Sequence, residues 1–200
     1  MASLIEKLRI ELSEINEKIL NHPSLKELSR EVLEKFIYNQ LYIIPHDLRS
    51  LSIMLSRCRD KLELDFFKIL VNGDYNAYNE ILKLAEELNI SFDYSKLNPK
   101  AISYTHFLSW LALNGTPGDS AVALVVNIPV WSENVRKLGE NARKIGIKST
   151  KFFELFSGPF NEIEDIAEKI AERYCDWGRY LFIAKTIQKY ELDFWDSLIE

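Results

Sequence analysis

Cysteine and histidine are scarce in this 200-residue sequence, which holds two cysteines and three histidines. Cys58 and Cys175 are too few for the disulfide framework of a small secreted protein. Free thiols are typical of a reducing compartment, so the sequence predicts a cytoplasmic protein. The opening stretch MASLIEKLRIELSEINEKI alternates charged with apolar residues and lacks the continuous apolar core of a secretory signal, so we expect none.

Long apolar runs and an excess of basic residues are also lacking. No stretch approaches the roughly 18 uninterrupted apolar residues of a transmembrane helix, so we expect no membrane partner. The formal net charge of -5 argues against a general nucleic-acid-binding protein, which needs a basic face to neutralise phosphates. Apolar residues make up 47% of the chain and charged residues 28%, a balance typical of a globular domain with a sizeable core.

Sequence motifs for phosphate, dinucleotide or metal binding are missing. The chain has no GxxxxGK[ST] loop, no GxGxxG loop, no CxxC and no HExxH. His22, His46 and His106 all lie outside the last long predicted helix, where a helical di-iron site needs a histidine. We therefore expect no metal site, no cofactor, and histidines that are structural or lie at the surface. Counting residues leaves a Ser-His-Asp triad open, although no nucleophile elbow marks one.

Apolar residues recur at helical spacing along nearly the whole chain. Leu8, Leu12, Ile15 and Ile19 follow one another at steps of four, three and four and therefore share one helix face. Alternating runs suited to strands are scarce, and no linker, repeat or low-complexity segment divides the chain. The sequence predicts one all-α domain over residues 1–200, a single bundle of seven or eight helices.

Proline, glycine and capping residues predict where these helices begin, bend and end. Pro45 lies inside an apolar-periodic segment and predicts that the helix is kinked or split there, and Pro129 predicts a kink in a later segment. Asp74, which follows Gly73, is a favourable N-cap residue and predicts the start of a new helix. The other expected segments are a helix over 30–57, a loop over 89–103, a helix over about 120–144, a helix over about 161–189 and a short final element over 190–200.

Four short patterns occur in an order and at intervals that resemble one protein family. They are HPSL at 22–25 with IYNQLYII after it, SYT at 103–105, the helix around Asn127, and YELDFW at 190–195. They resemble the signatures of the TenA family, the relatives of thiaminase II, and the resemblance extends over most of the chain. The resemblance implies a heme-oxygenase-like all-α fold and assembly into a dimer or tetramer. It also implies hydrolysis of thiamin or of its aminomethyl-pyrimidine breakdown product.

The resemblance further implies a ligand pocket, in which several family residues are replaced. Tyr104 matches the pocket tyrosine, and Glu191 matches the glutamate that handles protons during catalysis. Asn127 stands where the family has its nucleophilic cysteine, and an amide cannot form a thiolate. The remaining expected ligand-binding positions are Leu41 in place of an aspartate, Ile44 in place of an aromatic residue, Phe156 in place of a tyrosine, and Trp131, which stays aromatic.

Asn127 and Glu191 each have a structural alternative. Asn127 lies four residues before Trp131, so the two share a helix face and would both look into the pocket. Alternatively, the Asn127 amide pairs with a backbone carbonyl that Pro129 leaves free. Glu191 is either desolvated beside the aromatic residues that follow it, with its pKa raised for acid–base work, or it caps or salt-bridges the end of the last long helix near Lys185 or Lys189.

Neither native thiol is expected to replace the missing nucleophile. Cys175 lies beside Asp176, whose charge disfavours a thiolate, and we expect it to be a buried structural residue. Cys58 lies between Arg57 and Arg59, which would lower its pKa if it were exposed, but it matches no site position of the family.

These observations leave three functions open. The first is a TenA-like protein that binds a pyrimidine-like or other flat heteroaromatic ligand, with its hydrolase activity altered or lost. The second is a non-thiol enzyme of the PqqC type, in which Glu191 acts as the general acid or base. The third is a non-enzymatic helical protein for oligomerisation or interaction, in which side chains fill the cavity.

Overall fold

The computed structural model describes residues 2–26 and 29–200, and these residues form a helical bundle without a strand. This confirms the all-α fold that the sequence predicts. Within these residues, nine helices have eight residues or more and one has four. They are α1 (Leu4–Glu11), α2 (Ser13–Leu20), α3 (Arg30–Ser56), α4 (Lys61–Glu87), α5 (Ser103–Asn114), α6 (Pro117–Val125), α7 (Ile128–Lys144), α8 (Lys151–Glu154), α9 (Asn161–Arg173) and α10 (Trp177–Ser197).

Helix α3 spans the predicted segment except its last residue, Arg57, and it continues through Pro45 without being split. The proline ring has no N–H to donate to the backbone carbonyl of Leu41, four residues before it. In the same turn, the His46 ring forms a hydrogen bond of 2.7 Å between Nδ1 and the Tyr42 carbonyl. Buried residues on both sides of Pro45, such as Ile37 and Leu51, pack into the core and hold the helix together.

The predicted helix start at Asp74 is wrong. Helix α4 runs without a break from Lys61 to Glu87, and its N-cap is Asp60, whose side chain accepts from two backbone N–H groups of the first turn. Gly73 inside the helix costs about 1 kcal/mol relative to alanine. Burial of an apolar stripe on both sides of Gly73, which includes Phe66 and Ile81, outweighs that cost.

The predicted boundary near residue 189 is also wrong. The expected helix over 161–189 ends earlier, at Arg173, and a new helix begins at Trp177. The Asp176 side chain caps this helix by accepting from the backbone N–H of Arg179 at 3.1 Å. Helix α10 then continues to Ser197 and includes the residues expected to form a separate final element.

The predicted helix over 120–144 is divided into α6 and α7 just before Pro129. This proline has no N–H for the Val125 carbonyl, so that acceptor needs another donor. The guanidinium of Arg9 supplies it: Nη2 donates to the Val125 carbonyl at 2.7 Å, and Nε donates to the Val126 carbonyl at 3.4 Å. The break leaves Asn127 at the junction of the two helices. Together with the breaks at Tyr174 and Leu12, it raises the number of helices above seven or eight.

An aromatic cluster around Phe36 forms the centre of one hydrophobic core. The Phe36 ring stacks on Trp131 with centroids 6.2 Å apart and planes at 17°, and it meets Phe194 edge-on at 5.7 Å. Trp131 and Phe194 also line the internal cavity described below, so the packing of this core fixes one wall of the cavity. Within the described part of the chain, no helix has the length and apolarity needed to span a bilayer.

Candidate functional site

A cavity of about 450 Å³ lies inside the bundle, with lining residues from α3 to α7, α9 and α10. Cavities of roughly 300–1,000 Å³ are typical of small-molecule sites. Side chains therefore do not fill the space, contrary to what a purely structural protein was expected to show. Most of the wall is apolar or aromatic. Its polar members are Gln40, Asp47, Asp74, Asn76, Tyr104, Asn127, Ser132, Glu162 and Glu191.

The structure brings six of the seven candidate residues to this cavity. They are Ile44, Tyr104, Asn127, Trp131, Phe156 and Glu191. Leu41 is not among the lining residues. It is half-buried against the apolar core, while Gln40 and Ile44 of the same helix face the cavity. Trp131 and Phe156 meet at right angles with centroids 5.7 Å apart, which makes an aromatic corner in the wall.

Asn127 and Glu191 form the polar centre of the cavity. Nδ2 of Asn127 donates to Oε2 of Glu191 at 3.3 Å, and the indole N–H of Trp195 donates to Oε1 at 2.7 Å. The two side chains are buried, with exposures of 8% for Asn127 and 4% for Glu191. Oδ1 of Asn127 is buried and has no hydrogen-bond partner among the described residues. The cavity thus presents an acceptor that the described part of the chain leaves without a donor.

Neither structural alternative for these two residues is realised. The Asn127 amide pairs with a carboxyl rather than with a backbone carbonyl, because Arg9 already occupies the acceptor that Pro129 leaves free. Lys189 pairs with Asp193 one turn later instead of with Glu191.

Burial raises the pKa of the Glu191 carboxyl from its usual 4.5 to about 7. The hydrogen bonds from Trp195 and Asn127 act in the opposite direction, because they stabilise the carboxylate, but they do not outweigh the loss of solvent. A carboxyl with a pKa near neutrality can both accept and return a proton at physiological pH. Glu191 therefore has the acidity that a general acid or base needs.

Two further carboxyls, Asp47 on α3 and Asp74 on α4, line the cavity, and neither is among the residues expected at the site. Asp47 accepts a hydrogen bond from the hydroxyl of Thr105 on α5. Burial raises the pKa of Asp47 well above its usual range, and the nearby charge of Asp74 adds to this. Burial likewise raises the pKa of Asp74 to about 7. The two acidic groups are near enough to disfavour each other's ionisation.

Asp47 could have been found from spacing alone. It lies seven residues after Gln40 and three after Ile44, so the three residues share one face of α3. An aspartate on the buried face of a helix needs a polar environment, which is a signal for an internal site. Asp74 gave no such signal, because an aspartate after a glycine has the local pattern of a helix cap.

The Tyr104 hydroxyl lies near all three of these carboxyls. Burial raises the pKa of Tyr104 well above its usual range, and the charges of Asp47, Asp74 and Glu191 raise it further. The phenol is therefore neutral throughout the physiological range and can both donate and accept a hydrogen bond. It can hold a polar edge of a bound ring but has no negative charge to offer.

His22 takes part in a hydrogen-bonded set that superficially resembles a catalytic triad. Its Nδ1 lies 2.8 Å from the hydroxyl of Ser24, and its Nε2 lies 3.1 Å from Oδ1 of Asp196. Ser24 is only 2% exposed, and none of the three residues lines the cavity. The set therefore ties the 3-10 turn at Pro23–Leu25 to α10.

His46 and His106 also lie outside the cavity lining, and both contact Tyr42. Within residues 2–26 and 29–200, no group of three or more histidine, cysteine, aspartate or glutamate side chains could hold a metal ion.

The expectation that Cys175 is buried is wrong, because it lies exposed in the turn between α9 and α10. Cys58 is half-buried, and burial raises its pKa to about 11, with the charges of Glu63 and Asp60 adding to the effect. The arginines beside Cys58 therefore do not activate it. Neither thiol lines the cavity, so neither can substitute for a nucleophile there.

Comparison with known proteins decides the family. The family model described as TENA/THI-4/PQQC matches residues 9–200. The chain belongs to this family. Comparison with curated protein sequences yields no relative.

Solved structures of TenA proteins share the fold over nearly their whole length. A TenA homologue from Pyrococcus furiosus is 25% identical, with a TM-score of 0.79 over 98% of this chain and 99% of that chain. A TenA homologue from P. horikoshii OT3 is 20% identical, with a TM-score of 0.78 over 98% of each chain. A TenA-like protein from Sulfolobus solfataricus P2, proposed to be a thiaminase, is 17% identical, with a TM-score of 0.73 over 100% of this chain and 97% of that chain.

Proposed function

We propose that this TenA-family protein acts in thiamin-related metabolism and binds a flat heteroaromatic ligand of the pyrimidine type in the cavity. In this proposal, thiaminase-type hydrolysis is altered or lost. The observation that carries it is the hydrogen bond from Asn127 to Glu191, at the position matched to the family's nucleophilic cysteine. An amide in that place can orient a ligand but cannot attack it.

The shape and chemistry of the wall support a flat ligand. Trp131 and Phe156 offer aromatic surfaces at right angles, against which a ring can stack or pack edge-on. Tyr104 supplies a neutral hydroxyl, while Asn127 and Glu191 supply an amide and a carboxyl at the polar centre. A few convergent polar groups on an apolar wall give a ligand its orientation and its specificity.

A thermal-unfolding screen tests this proposal. Thiamin, aminomethyl-pyrimidine and other heteroaromatics are added to the wild type, to Tyr104→Phe and to Glu191→Gln. A ligand at a hundredfold excess over its Kd stabilises the folded state by about 2.7 kcal/mol, which gives a clear shift in Tm. Both variants should reduce the shift. Tyr190→Phe is the matched control, because Tyr190 precedes Glu191 in α10 but does not line the cavity. Shifts that persist in Tyr104→Phe and Glu191→Gln would contradict the proposal.

A second candidate is a non-thiol enzyme of the PqqC type, with Glu191 as general acid or base and the same cavity for its substrate. The raised pKa of Glu191, about 7, favours this candidate. Turnover of a ligand found in the screen should then follow a pH profile with an apparent pKa near that of Glu191. Glu191→Gln should abolish turnover while measurable binding persists.

The proposal includes a homo-oligomer, a dimer or a tetramer, located in the cytoplasm and without a nucleic-acid partner. Large apolar side chains exposed on α5 and α10, such as Leu113 and Phe182, are available for subunit contacts. Light scattering should give a mass of two or four times the 23.3 kDa of the chain. A mass of one chain would refute this part of the proposal.

A further inference from the structure

The cavity has an unbalanced set of charges. Among the described residues, four that line the cavity carry a carboxyl, and none that lines it is a lysine, arginine or histidine. The four are Asp47, Asp74, Glu162 and Glu191. Buried carboxyls usually have a basic partner, because an isolated negative charge is costly away from water. An occupant of this cavity therefore meets acidic groups that the described residues do not neutralise.

Asp47 and Asp74 are the clearest case. Neither forms an ion pair with a basic residue in the described part of the chain. Among the described residues, Thr105 donates a hydrogen bond to Asp47, and no side chain or backbone group donates one to Asp74. Two carboxyls on facing helices thus converge on one cavity, with acceptor positions left open.

A second, independent observation points to a ligand in the same cavity. Oδ1 of Asn127 is buried and unpartnered among the described residues, and Asn127 lines the cavity with 8% exposure. A buried acceptor without a donor costs about 1–3 kcal/mol. A ligand with N–H groups would satisfy it. Oδ1 of Asn127 can only accept, and Asp47 and Asp74 can only accept once they are ionised, so a positively charged N–H donor would suit all three.

We propose that the Asp47–Asp74 pair binds a positively charged nitrogen group of the ligand, an amidinium or a protonated ring nitrogen with its amino group, and that Asn127 accepts a further N–H from the same molecule. This inference rests on the proposed function, because it specifies the chemical class of the ligand in that cavity. A planar amidinium carries N–H groups that spread in one plane, as a guanidinium does. It can therefore donate to carboxylates from two helices at once and neutralise the charge that they share.

Calorimetric titration with benzamidinium and with benzamide tests the charge requirement. The two probes have nearly the same size and shape, but only benzamidinium carries a positive charge. Wild-type protein should bind benzamidinium at least about tenfold more tightly than benzamide, because the charge is paired with two carboxyls that are partly removed from water, buried Asp47 and half-buried Asp74.

Isosteric variants test which residues provide the charge. Asp47→Asn and Asp74→Asn should each weaken benzamidinium binding at least about tenfold and leave benzamide binding within about threefold. Asp65→Asn is the matched control, since Asp65 lies on the same helix as Asp74, pairs with Lys61 at the surface and does not line the cavity. Its affinity for benzamidinium should equal that of the wild type. Circular dichroism confirms that each variant is folded, and Asp74→Asn carries the test if Asp47→Asn does not fold.

Three results would overturn the inference: no binding of benzamidinium, equal binding of the two probes, or an affinity unchanged by both aspartate substitutions. Each of these is distinct from failure of the proposed function, which is judged by neutral heteroaromatics and the Tyr104 and Glu191 variants. A cavity that binds neutral rings through Tyr104 but shows no preference for benzamidinium would keep the proposed function and refute the cation site.

Discussion

Asn127 donates a hydrogen bond of 3.3 Å to Oε2 of Glu191, which joins the junction of α6 and α7 to α10 inside the cavity. The amide therefore lies next to a carboxyl whose pKa, about 7, suits proton transfer. A thiol at the same position would have this carboxyl as a nearby proton acceptor. The contact thus places the position matched to the family's cysteine beside a carboxyl that can exchange a proton near neutral pH.

Asn127→Cys should create thiaminase-type hydrolysis of thiamin or aminomethyl-pyrimidine. The new thiol would lie beside Glu191, and we expect turnover at least roughly tenfold above the wild type because a thiolate can attack an electron-poor ring. Product formation by chromatography is the measurement. Asn134→Cys is the control, since Asn134 is a buried amide of α7 that donates to the Ile19 carbonyl and does not line the cavity. Substantial turnover by the wild type would show that the amide does not impair the chemistry.

Glu191→Gln should change how stability depends on pH. The pKa of Glu191 is raised from 4.5 to about 7 in the folded state, so the folded protein holds this proton more tightly than the unfolded chain does. The stability of the wild type therefore falls as pH rises through that window, while glutamine does not titrate. Relative to the wild type, the variant should gain roughly 2–3 kcal/mol between pH about 5 and about 8. Urea unfolding at the two pH values measures this gain.

Glu133→Gln is the control for that experiment. Hydrogen bonding to Arg136 lowers the pKa of Glu133, so the contribution of this carboxylate to stability is present above its unfolded-state pKa and is lost as pH falls. Its replacement should therefore show no gain at high pH. An equal gain in both variants would mean that burial of Glu191 is not the cause.

Arg9→Ala should destabilise the protein by roughly 2–3 kcal/mol, because it leaves the carbonyl freed by Pro129 without a donor. Urea unfolding gives the value. Glu164→Gln separates the two roles of Arg9, since it removes the ion pair of 2.5 Å but keeps the contacts with Val125 and Val126. We expect the loss in Glu164→Gln to be below about 1 kcal/mol. Equal losses in both variants would assign the effect to the ion pair.

Two glycines should respond to alanine in opposite directions. A Cβ at Gly139 would lie 2.6 Å from the Cβ of Phe153, so Gly139→Ala should cost about 1–3 kcal/mol. A Cβ at Gly73 would meet nothing within 4 Å, and Gly73→Ala should stabilise α4 by about 0.5–1 kcal/mol. The shift in Tm of each variant from the wild type measures its own effect. A loss of stability in Gly73→Ala would contradict the open space around Gly73.

Apolar periodicity is enough to predict the helical class and the extent of α3, because the buried stripe of that helix is continuous from Val32 to Met54. Helix ends are less predictable. Asp74 has the local pattern of a cap but lies inside α4, and Asp176 caps α10 within a stretch that has helical periodicity on both sides. Packing against other helices determines whether such an aspartate caps a helix or lies within one. That packing is not a local property of the sequence.

The candidate site was predictable where a family motif marks it. Tyr104, Asn127 and Glu191 were identified through the resemblance and share the cavity. Asp47 and Asp74 match no such motif. Their proximity depends on the pairing of α3 with α4 and on the register of that pairing, neither of which can be derived from spacing within one helix.

The location of Glu191 on α10 has a consequence for biosynthesis. Gln188 of this helix donates to Asn16 of α2, a residue 172 positions earlier in the chain. The ribosome therefore synthesises α1 to α9 before α10, which supplies Glu191 and Phe194 to the cavity wall. Contacts over such separations form slowly. Until α10 docks, Glu191 is missing from the cavity wall, and a small molecule that binds the complete cavity would favour the docked state of α10.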